Sequence, residues 1–220
     1  MVEVPSIAVT PWVVARFHDV LGSGDLGALP EEVPRWVFLD WLTRQGCVLH
    51  GSNRSDLTWF EPREPHDLSP DDFSKRKAVF ASSDALWALM YAVVDRPRKV
   101  KRMLSTAVQI EHHGSWTPMR YFLSVAPHDS TVEDSSELLR SGAVYVLDKT
   151  RFEQMPPYEW PGVGKVLEPH WACPHPVEAA LRVPVRPADL PLPVRIHDAD
   201  RVDAASKADP WGFPWLEAPA

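Results

Sequence analysis

The chain has 220 residues, of which 45% are hydrophobic and 24% are charged, a balance typical of a soluble globular protein with a sizeable core. Its two cysteines, Cys47 and Cys173, are too few for a disulfide framework and fit a reducing compartment. The net charge of −7 disfavours broad, nonspecific binding to nucleic acid.

Membrane insertion is not expected from the sequence. No apolar run approaches the roughly 20 residues that a membrane-spanning helix needs. The N-terminal stretch "MVEVPSIAVTPWVV" has no basic segment before its apolar part, so it does not resemble a secretory signal. We therefore expect a cytoplasmic protein with no membrane partner.

The N-terminal part of the chain predicts two helices. Thr10 is a suitable N-cap, Pro11 suits the first helical position, and Gly22 is a stop signal for the first helix. The second helix is predicted to carry the acidic pair 31–32 in its first turn and to end at Gly46.

After Gly46 the pattern changes to short strands with few helices, which predicts the α+β class. One helix is expected in "DALWALMYAVVD", capped by Ser82 or Ser83. Neither GxGxxG after a strand nor GxxxxGK[ST] occurs, so a doubly wound nucleotide-binding fold is disfavoured. The predicted strands are "CVLHGS", "AVFAS", "MLSTAVQIEHH", "MRYFLSVA" and "GAVYVLDK", with weaker candidates in "GKVLEPH" and "ALRVPV".

These patterns divide the chain into three parts. Residues 1–45 are predicted to be a helical extension, 46–197 the main α+β domain, and 198–220 a C-terminal arm. The arm is rich in Ala, Asp and Pro and is expected to pack back through its aromatic residues, Trp211, Phe213 and Trp215.

A basic segment interrupts the otherwise acidic sequence. "RPRKVKR" (96–102) carries five positive charges in seven positions. Such a segment is either a solvated loop or a contact for phosphates, on a ligand or on a polynucleotide.

Metal and cysteine chemistry are weaker candidates. The ligand types in "HWACPH", namely His170, Cys173 and His175, do not have a familiar zinc spacing, and the adjacent pair 112–113 adds no motif. Cys47 precedes the strand that ends at a histidine, but a free cysteine is more often a small buried hydrophobe than a nucleophile.

The strand end "VLHGS" (48–52) is followed by a second strand, "VFA" (79–81), and by an aromatic residue, Tyr91. In this order the motifs resemble the ADP-ribosyltransferases, especially the poly(ADP-ribose) polymerase and diphtheria-toxin-like branch. That branch carries His-Gly-Ser or His-Gly-Thr, then Tyr-Phe-Ala, then a further aromatic residue. Here valine replaces the first tyrosine and Tyr91 lies one residue late, so the aromatic role stays open between Tyr91, Trp87 and Phe80.

A longer resemblance covers most of residues 46–195. The motifs "HGSN", "FEPR", "VFAS", "VVDR", "YFLSVA", "VYVLDKTRFE" and "EW" occur in the order found in an uncharacterised bacterial protein family. This resemblance implies a shared fold, with split antiparallel sheets of short strands as in ADP-ribosyltransferases, but it does not supply a function.

The resemblance to ADP-ribosyltransferases implies NAD as the ligand. His50 would bond a ribose hydroxyl, the backbone at Gly51 would pair with the nicotinamide carboxamide, and Ser52 would hold the carboxamide or the ribose. Arg63 would meet the pyrophosphate or pair with Glu61, and the alternative for His50 is an ordinary strand-end histidine. The implied NAD-binding residues are His50, Gly51, Ser52, Asn53, Arg63, Phe80, Ser82 and Tyr91.

The implied reaction breaks the nicotinamide N-glycosidic bond and needs a carboxylate near the ribose. Glu159 is favoured as this catalytic residue together with His50, and Glu168 and Glu153 are the alternatives. The acceptor would be an unknown protein or nucleic acid, or water in an NAD glycohydrolase. The alternative function is a catalytically inactive binding module of the same fold.

Overall fold

The computed structural model describes residues 1–4, 7–65 and 67–216, and it confirms the α+β class. The helices within these ranges are α1 (Pro11–Ser23), α2 (Arg35–Arg44), α3 (Ala85–Val93) and α4 (Ala199–Ala208). The strands are β1 (Cys47–Ser52), β2 (Trp59–Phe60), β3 (Val79–Ser82), β4 (Val100–His112), β5 (Ser115–Trp116), β6 (Arg120–Pro127), β7 (Gly142–Asp148), β8 (Glu153–Gln154), β9 (Tyr158–Trp160), β10 (Gly164–Leu167), β11 (His170–Cys173), β12 (Val177–Glu178), β13 (Leu181–Val185) and β14 (Arg195–Ile196).

Two larger sheets dominate the molecule. The first has the strand order β13-β7-β1-β3-β11-β8, and all its pairings are antiparallel. The second has the order β14-β6-β4-β10-β9, and its only parallel pairing among the described strands is that of β14 with β6. The predicted neighbours "MLSTAVQIEHH" and "MRYFLSVA" do pair, as β4 and β6.

Alternating apolar residues bury both faces of the first sheet. In β1, Leu49 belongs to the core that also contains the helices, whereas Val48 belongs to a separate core with β7 and β11. Because successive side chains in a strand point to opposite faces, Gly51 shares the face of Leu49, towards α3, and His50 shares that of Val48.

The predicted N-terminal helices form, with corrected ends. The Thr10 hydroxyl accepts from the backbone N–H of Val13, as expected for an N-cap. Helix α1 continues past Gly22 to Ser23, and its C-cap is Gly24, which adopts a left-handed φ of 74°. The second helix starts only after Pro34, so residues 31–32 lie outside it. A proline disfavours helical backbone at the residue before it, which explains this late start.

Helix α3 is almost entirely buried, and its cap differs from the prediction. Asp84, not Ser82 or Ser83, is the N-cap, because its carboxylate accepts from the backbone N–H of Trp87 at 2.8 Å. Burial raises the pKa of Asp84 to about 6, and the hydroxyl of Tyr121 donates to the same carboxylate at 2.7 Å. The hydroxyl of Ser82 accepts from the backbone N–H of Asp84.

The predicted extension and arm both pack on the main domain. Val13, Phe17 and Leu42 of the N-terminal helices share one core with α3. The arm contains a helix, α4, that was not predicted, and its aromatic residues pack as expected; positions 217–220 lie outside the described residues. No helix in the described part of the chain is long and apolar enough to cross a membrane.

Candidate functional site

A cavity of about 740 Å³ lies between the two large sheets. Its walls come from β1, β3 and β11 of the first sheet, from β4 and β9 of the second, and from α3. Residues 63–65 and 67–70 and the C-terminal arm complete it. This volume is within the roughly 300–1,000 Å³ range of small-molecule sites.

His50 lines this cavity in a defined tautomer. Its Nδ1 lies 2.7 Å from the backbone oxygen of Phe80, which can only accept, so Nδ1 carries the proton and Nε2 is a hydrogen-bond acceptor. Burial lowers the pKa of His50, and the charges of Arg96 and Arg63 lower it further. A neutral imidazole with a free acceptor nitrogen suits a hydroxyl donor such as that of a sugar.

Gly51 is required by packing as well as by its place in the cavity wall. A Cβ at this position would lie 1.9 Å from the backbone oxygen of Ala88 and 2.8 Å from the backbone nitrogen of Ala92. Helix α3 therefore crosses β1 at a distance that only glycine permits.

Ser52 and Asn53 also line the cavity, but both are partly engaged by the backbone. The Ser52 hydroxyl accepts from the N–H of Arg54 at 3.2 Å and keeps its own proton available. The Asn53 amide donates to the oxygen of Ala92 and accepts from the N–H of Arg96. Asn53 thus joins the end of β1 to the residues after α3.

Three aromatic residues considered from the sequence all reach the cavity. Trp87 donates through Nε1 to the hydroxyl of Ser105 at 3.3 Å, and that hydroxyl donates to Tyr91. The guanidinium of Arg96 lies 4.8 Å from the centre of the Tyr91 ring. The third, Phe80, contacts the ring of His170 at 4.9 Å. Tyr91 is therefore held by Ser105 at its hydroxyl and contacted by Arg96 on its ring.

Glu168 is the glutamate that the structure brings to the cavity. Its Oε1 accepts from the hydroxyls of Thr106 at 3.3 Å and Tyr158 at 3.2 Å. Burial raises the pKa of Glu168 to about 7, and the negative charges of Asp71 and Asp67 add to this effect. A carboxyl that changes charge near neutral pH in a cavity is a candidate for acid–base work.

The structure does not bring Glu159, the favoured catalytic residue, to this cavity. Tyr158 and Trp160 line the cavity, and the side chain between them is exposed on the opposite face of β9. The third candidate, Glu153, is also exposed and pairs with Arg76 at 2.8 Å. Of the three carboxylates proposed from the sequence, Glu168 alone lines the cavity among the residues described.

The basic segment has several separate roles. Arg96 lines the cavity beside His50, as Arg63 does from the neighbouring loop. Further along, Lys101 pairs with Asp200 and Arg102 with Asp203, so these two cations fasten α4. The other two basic residues also have partners, since Arg98 pairs with Asp95 and Lys99 donates to the backbone oxygen of Glu137.

The residues considered as metal ligands differ in their surroundings. In "HWACPH", Cys173 is buried, His175 is exposed, and His170 lines the cavity among aromatic rings. Burial lowers the pKa of His170 to about 4. Within the ranges that the structure describes, no group of three or more His, Cys, Asp or Glu side chains could hold a metal ion.

Sequence reasoning missed Thr106 and Tyr158, the two hydroxyl donors to Glu168. A signal for Tyr158 was present, because "WPGVG" predicts a tight turn that would pair the residues around it. The structure has that hairpin, with Tyr158 opposite Val166, and Glu168 lies two residues further on, directly after the end of β10. Diagonal neighbours of this kind lie on one face and are within reach of a tyrosine.

Comparisons with known proteins give no further guide. No protein-family model, curated protein or solved structure matches the chain. The function proposed for the cavity therefore depends on the side chains that line it.

Proposed function

We propose that this protein binds NAD in the cavity between its sheets and breaks the bond between nicotinamide and ribose. The ADP-ribose would pass to an acceptor, or to water in an NAD glycohydrolase. The observation that carries this proposal is Glu168, a carboxylate with two hydroxyl donors in the same cavity as the acceptor nitrogen of His50.

The side chains around His50 suit the polar groups of NAD, its charged pyrophosphate and its nicotinamide ring. Its Nε2 accepts a ribose hydroxyl, and the hydroxyl proton of Ser52 is available to the carboxamide or the ribose. Arg63 and Arg96, which both act on His50 electrostatically, supply positive charge for the pyrophosphate. The Tyr91 ring supplies a surface for stacking on the nicotinamide.

The reaction needs a charge that opposes the developing oxocarbenium ion. When the C1′–N bond breaks, its electron pair leaves with nicotinamide, and C1′ becomes positive. The ionised carboxylate of Glu168 stabilises that charge and accepts the proton that the attacking acceptor or water loses. The lone pair of the acceptor then forms the new bond to C1′.

The test is nicotinamide release from NAD by the full chain, measured by chromatography, together with NAD binding by calorimetry. We expect wild-type protein to bind NAD and release nicotinamide, and Glu168→Gln to bind NAD without comparable release. Binding without release in wild-type protein, with any acceptor tried, would favour the inactive binding module. An absence of NAD binding would overturn the proposal altogether.

A further inference from the structure

The cavity has a second end whose chemistry differs from the end around His50. There the C-terminal arm places Trp211 beside Tyr158, with ring centres 6.1 Å apart, and Phe213 beside Trp160, at 5.8 Å. Trp215 completes this wall and packs edge-on against Phe213. We refer to Tyr158, Trp160, Trp211, Phe213 and Trp215 as the aromatic wall.

The aromatic wall is a fixed part of the fold. Trp160 donates through Nε1 to the backbone oxygen of Trp211 at 3.0 Å, and Trp215 donates to that of Asp209 at 2.6 Å. The helix before the wall, α4, is held to β4 by the pair of Arg102 with Asp203 at 2.6 Å. The wall therefore provides preformed ring surfaces to a ligand.

Negative charge lies next to the aromatic wall. Asp67 and Leu68 both line the cavity, and Leu68 packs on the same buried cluster as Phe213 and Trp215 of the wall, so Asp67 lies at this end. Burial raises the pKa of both Tyr158 and Glu168, and the nearby negative charges of Asp71 and Asp67 raise it further. In the part of the chain that the structure describes, neither aspartate forms an ion pair.

The two ends of the cavity thus have opposite character. The end at His50 has the cations Arg63 and Arg96, which suit a pyrophosphate. The end at the aromatic wall has Asp67 and Glu168, and its cation Arg102 is paired with Asp203, so this end suits a cationic ligand. Aromatic faces attract cations as well as flat rings, so rings and carboxylates here favour the same kind of ligand.

We infer that the aromatic wall is an acceptor subsite for a small organic amine that carries a flat aromatic ring. This inference rests on the proposed function for the acceptor role, but binding of the amine does not depend on it. Asp67 and Glu168 attract the ammonium group, and the ring stacks on the wall. A small molecule is favoured over a macromolecule because the cavity, at about 740 Å³, has the volume of a small-molecule site.

The chemical step balances with the groups present. The ammonium group first loses a proton to the Glu168 carboxylate or to solvent, which frees the nitrogen lone pair. As nicotinamide leaves with the electron pair of the broken bond, this lone pair forms a bond to C1′. The new secondary ammonium then loses its remaining extra proton to solvent, and an ADP-ribosylated amine is released.

The experiment uses three probes that share one ring and differ in charge: tryptamine, indole-3-acetamide and indole-3-acetate. Binding of each to the full chain is measured by calorimetry without NAD. We expect tryptamine to bind at least about 10-fold more tightly than indole-3-acetate, because only the former is attracted by the carboxylates. Equal affinity for the three probes, or tighter binding of the acetate, would overturn the inference.

Variants then locate the site. We expect Trp211→Leu to weaken tryptamine binding at least about 10-fold and Asp67→Asn to weaken it about 3- to 10-fold. Asp67 is exposed, so its replacement does not threaten folding. The matched control is Trp12→Leu, since that side chain is 57% exposed on α1, and it should leave binding unchanged. Full binding by both Trp211→Leu and Asp67→Asn would show that the amine binds elsewhere and would overturn the inference.

Wild-type protein separates this inference from the proposed function. With NAD present, tryptamine should yield a product heavier by one ADP-ribosyl group, detected by mass spectrometry. Tryptamine binding at the wall without any NAD binding would contradict the proposed function and leave the subsite as a binding site. NAD binding and nicotinamide release without tryptamine binding would overturn the subsite and leave the proposed function intact.

Discussion

Tyr158 and Glu168 meet across the hairpin formed by β9 and β10, where the phenol donates to the carboxylate at 3.2 Å. The same oxygen accepts from Thr106 on the neighbouring strand β4. Two strands of the second sheet, β4 and β9, therefore supply hydroxyl donors to one carboxylate, which lines the same cavity as His50. The chemistry proposed for the cavity depends on this arrangement.

The first prediction concerns turnover of NAD. Glu168→Gln keeps the size of the side chain and removes its charge, so nicotinamide release should fall about 100-fold or more. Glu159→Gln is the control, because this exposed residue lies outside the cavity and its replacement should leave release unchanged. The reverse outcome would restore the assignment favoured from the sequence.

The second prediction is that the Tyr158 hydroxyl sets the pH at which turnover begins. Its hydrogen bond lowers the pKa of Glu168, which lies at about 7, so Tyr158→Phe should move the rise in turnover to higher pH. Turnover as a function of pH is measured from pH 5 to 9 for both proteins. An unchanged midpoint with reduced turnover would assign Tyr158 a packing role only.

The third prediction links Glu168 to stability. Its pKa is raised from 4.5 to about 7 on folding, so the folded state binds more protons than the unfolded state between these values. Stability therefore falls as pH rises from about 4.5 to 7, by at most about 3 kcal/mol. Glu168→Gln should be more stable than wild type at pH 8 and similar at pH 4, in urea unfolding at each pH.

The fourth prediction concerns the close approach of α3 to β1. Gly51→Ala should cost at least about 2 kcal/mol of unfolding free energy, because the new Cβ meets backbone atoms of Ala88 and Ala92 that cannot move independently. In contrast, Gly22→Ala adds a methyl group in α1 with no atom within 4 Å and should be neutral or stabilising. Equal stability of the two variants in urea would contradict this account.

The fifth prediction concerns the cap of α3. Asp84→Ala removes the N-cap and leaves the Tyr121 hydroxyl without its partner, at a total cost of about 2–4 kcal/mol. Asp84→Asn keeps an oxygen that accepts from the N–H of Trp87, and its amide N–H can donate to the Tyr121 oxygen. It should therefore lower the unfolding free energy much less. The stabilities of the two variants are compared by thermal unfolding at pH 7. An equally large loss of stability in both would mean that the charge of Asp84 is itself required.

Much of the fold could be predicted because its signals are local. Strands such as "GAVYVLDK" and the helix that begins at Pro11 are set by patterns within a few residues. The cap at Asp84 was missed because Ser82, Ser83 and Asp84 are all good caps, and the buried partner Tyr121 is 37 residues away. Helix α4 was missed because its docking partners Lys101 and Arg102 lie about a hundred residues earlier.

The site was predicted in part, for a related physical reason. His50 is recognisable because it ends an apolar strand, and the structure places it in the cavity. Glu159 was favoured as the catalytic carboxylate from chain order and from its place before a loop and a strand, neither of which tells which face of a strand a side chain occupies. The alternation in "YEW" contains that information, since two aromatic residues facing inwards leave Glu159 to face outwards.

The contact between α3 and the first sheet also determines which walls of the cavity can adjust to a ligand. Gly51 and Gly142 let two strands touch the helix backbone at Ala88 and Ala92, with no side chain between them to change rotamer. His50 and Tyr91 are therefore held at a fixed separation, as on a single rigid body. Adaptation to ligands of different size falls to walls built from whole side chains, such as that of Leu68 in the loop after β2.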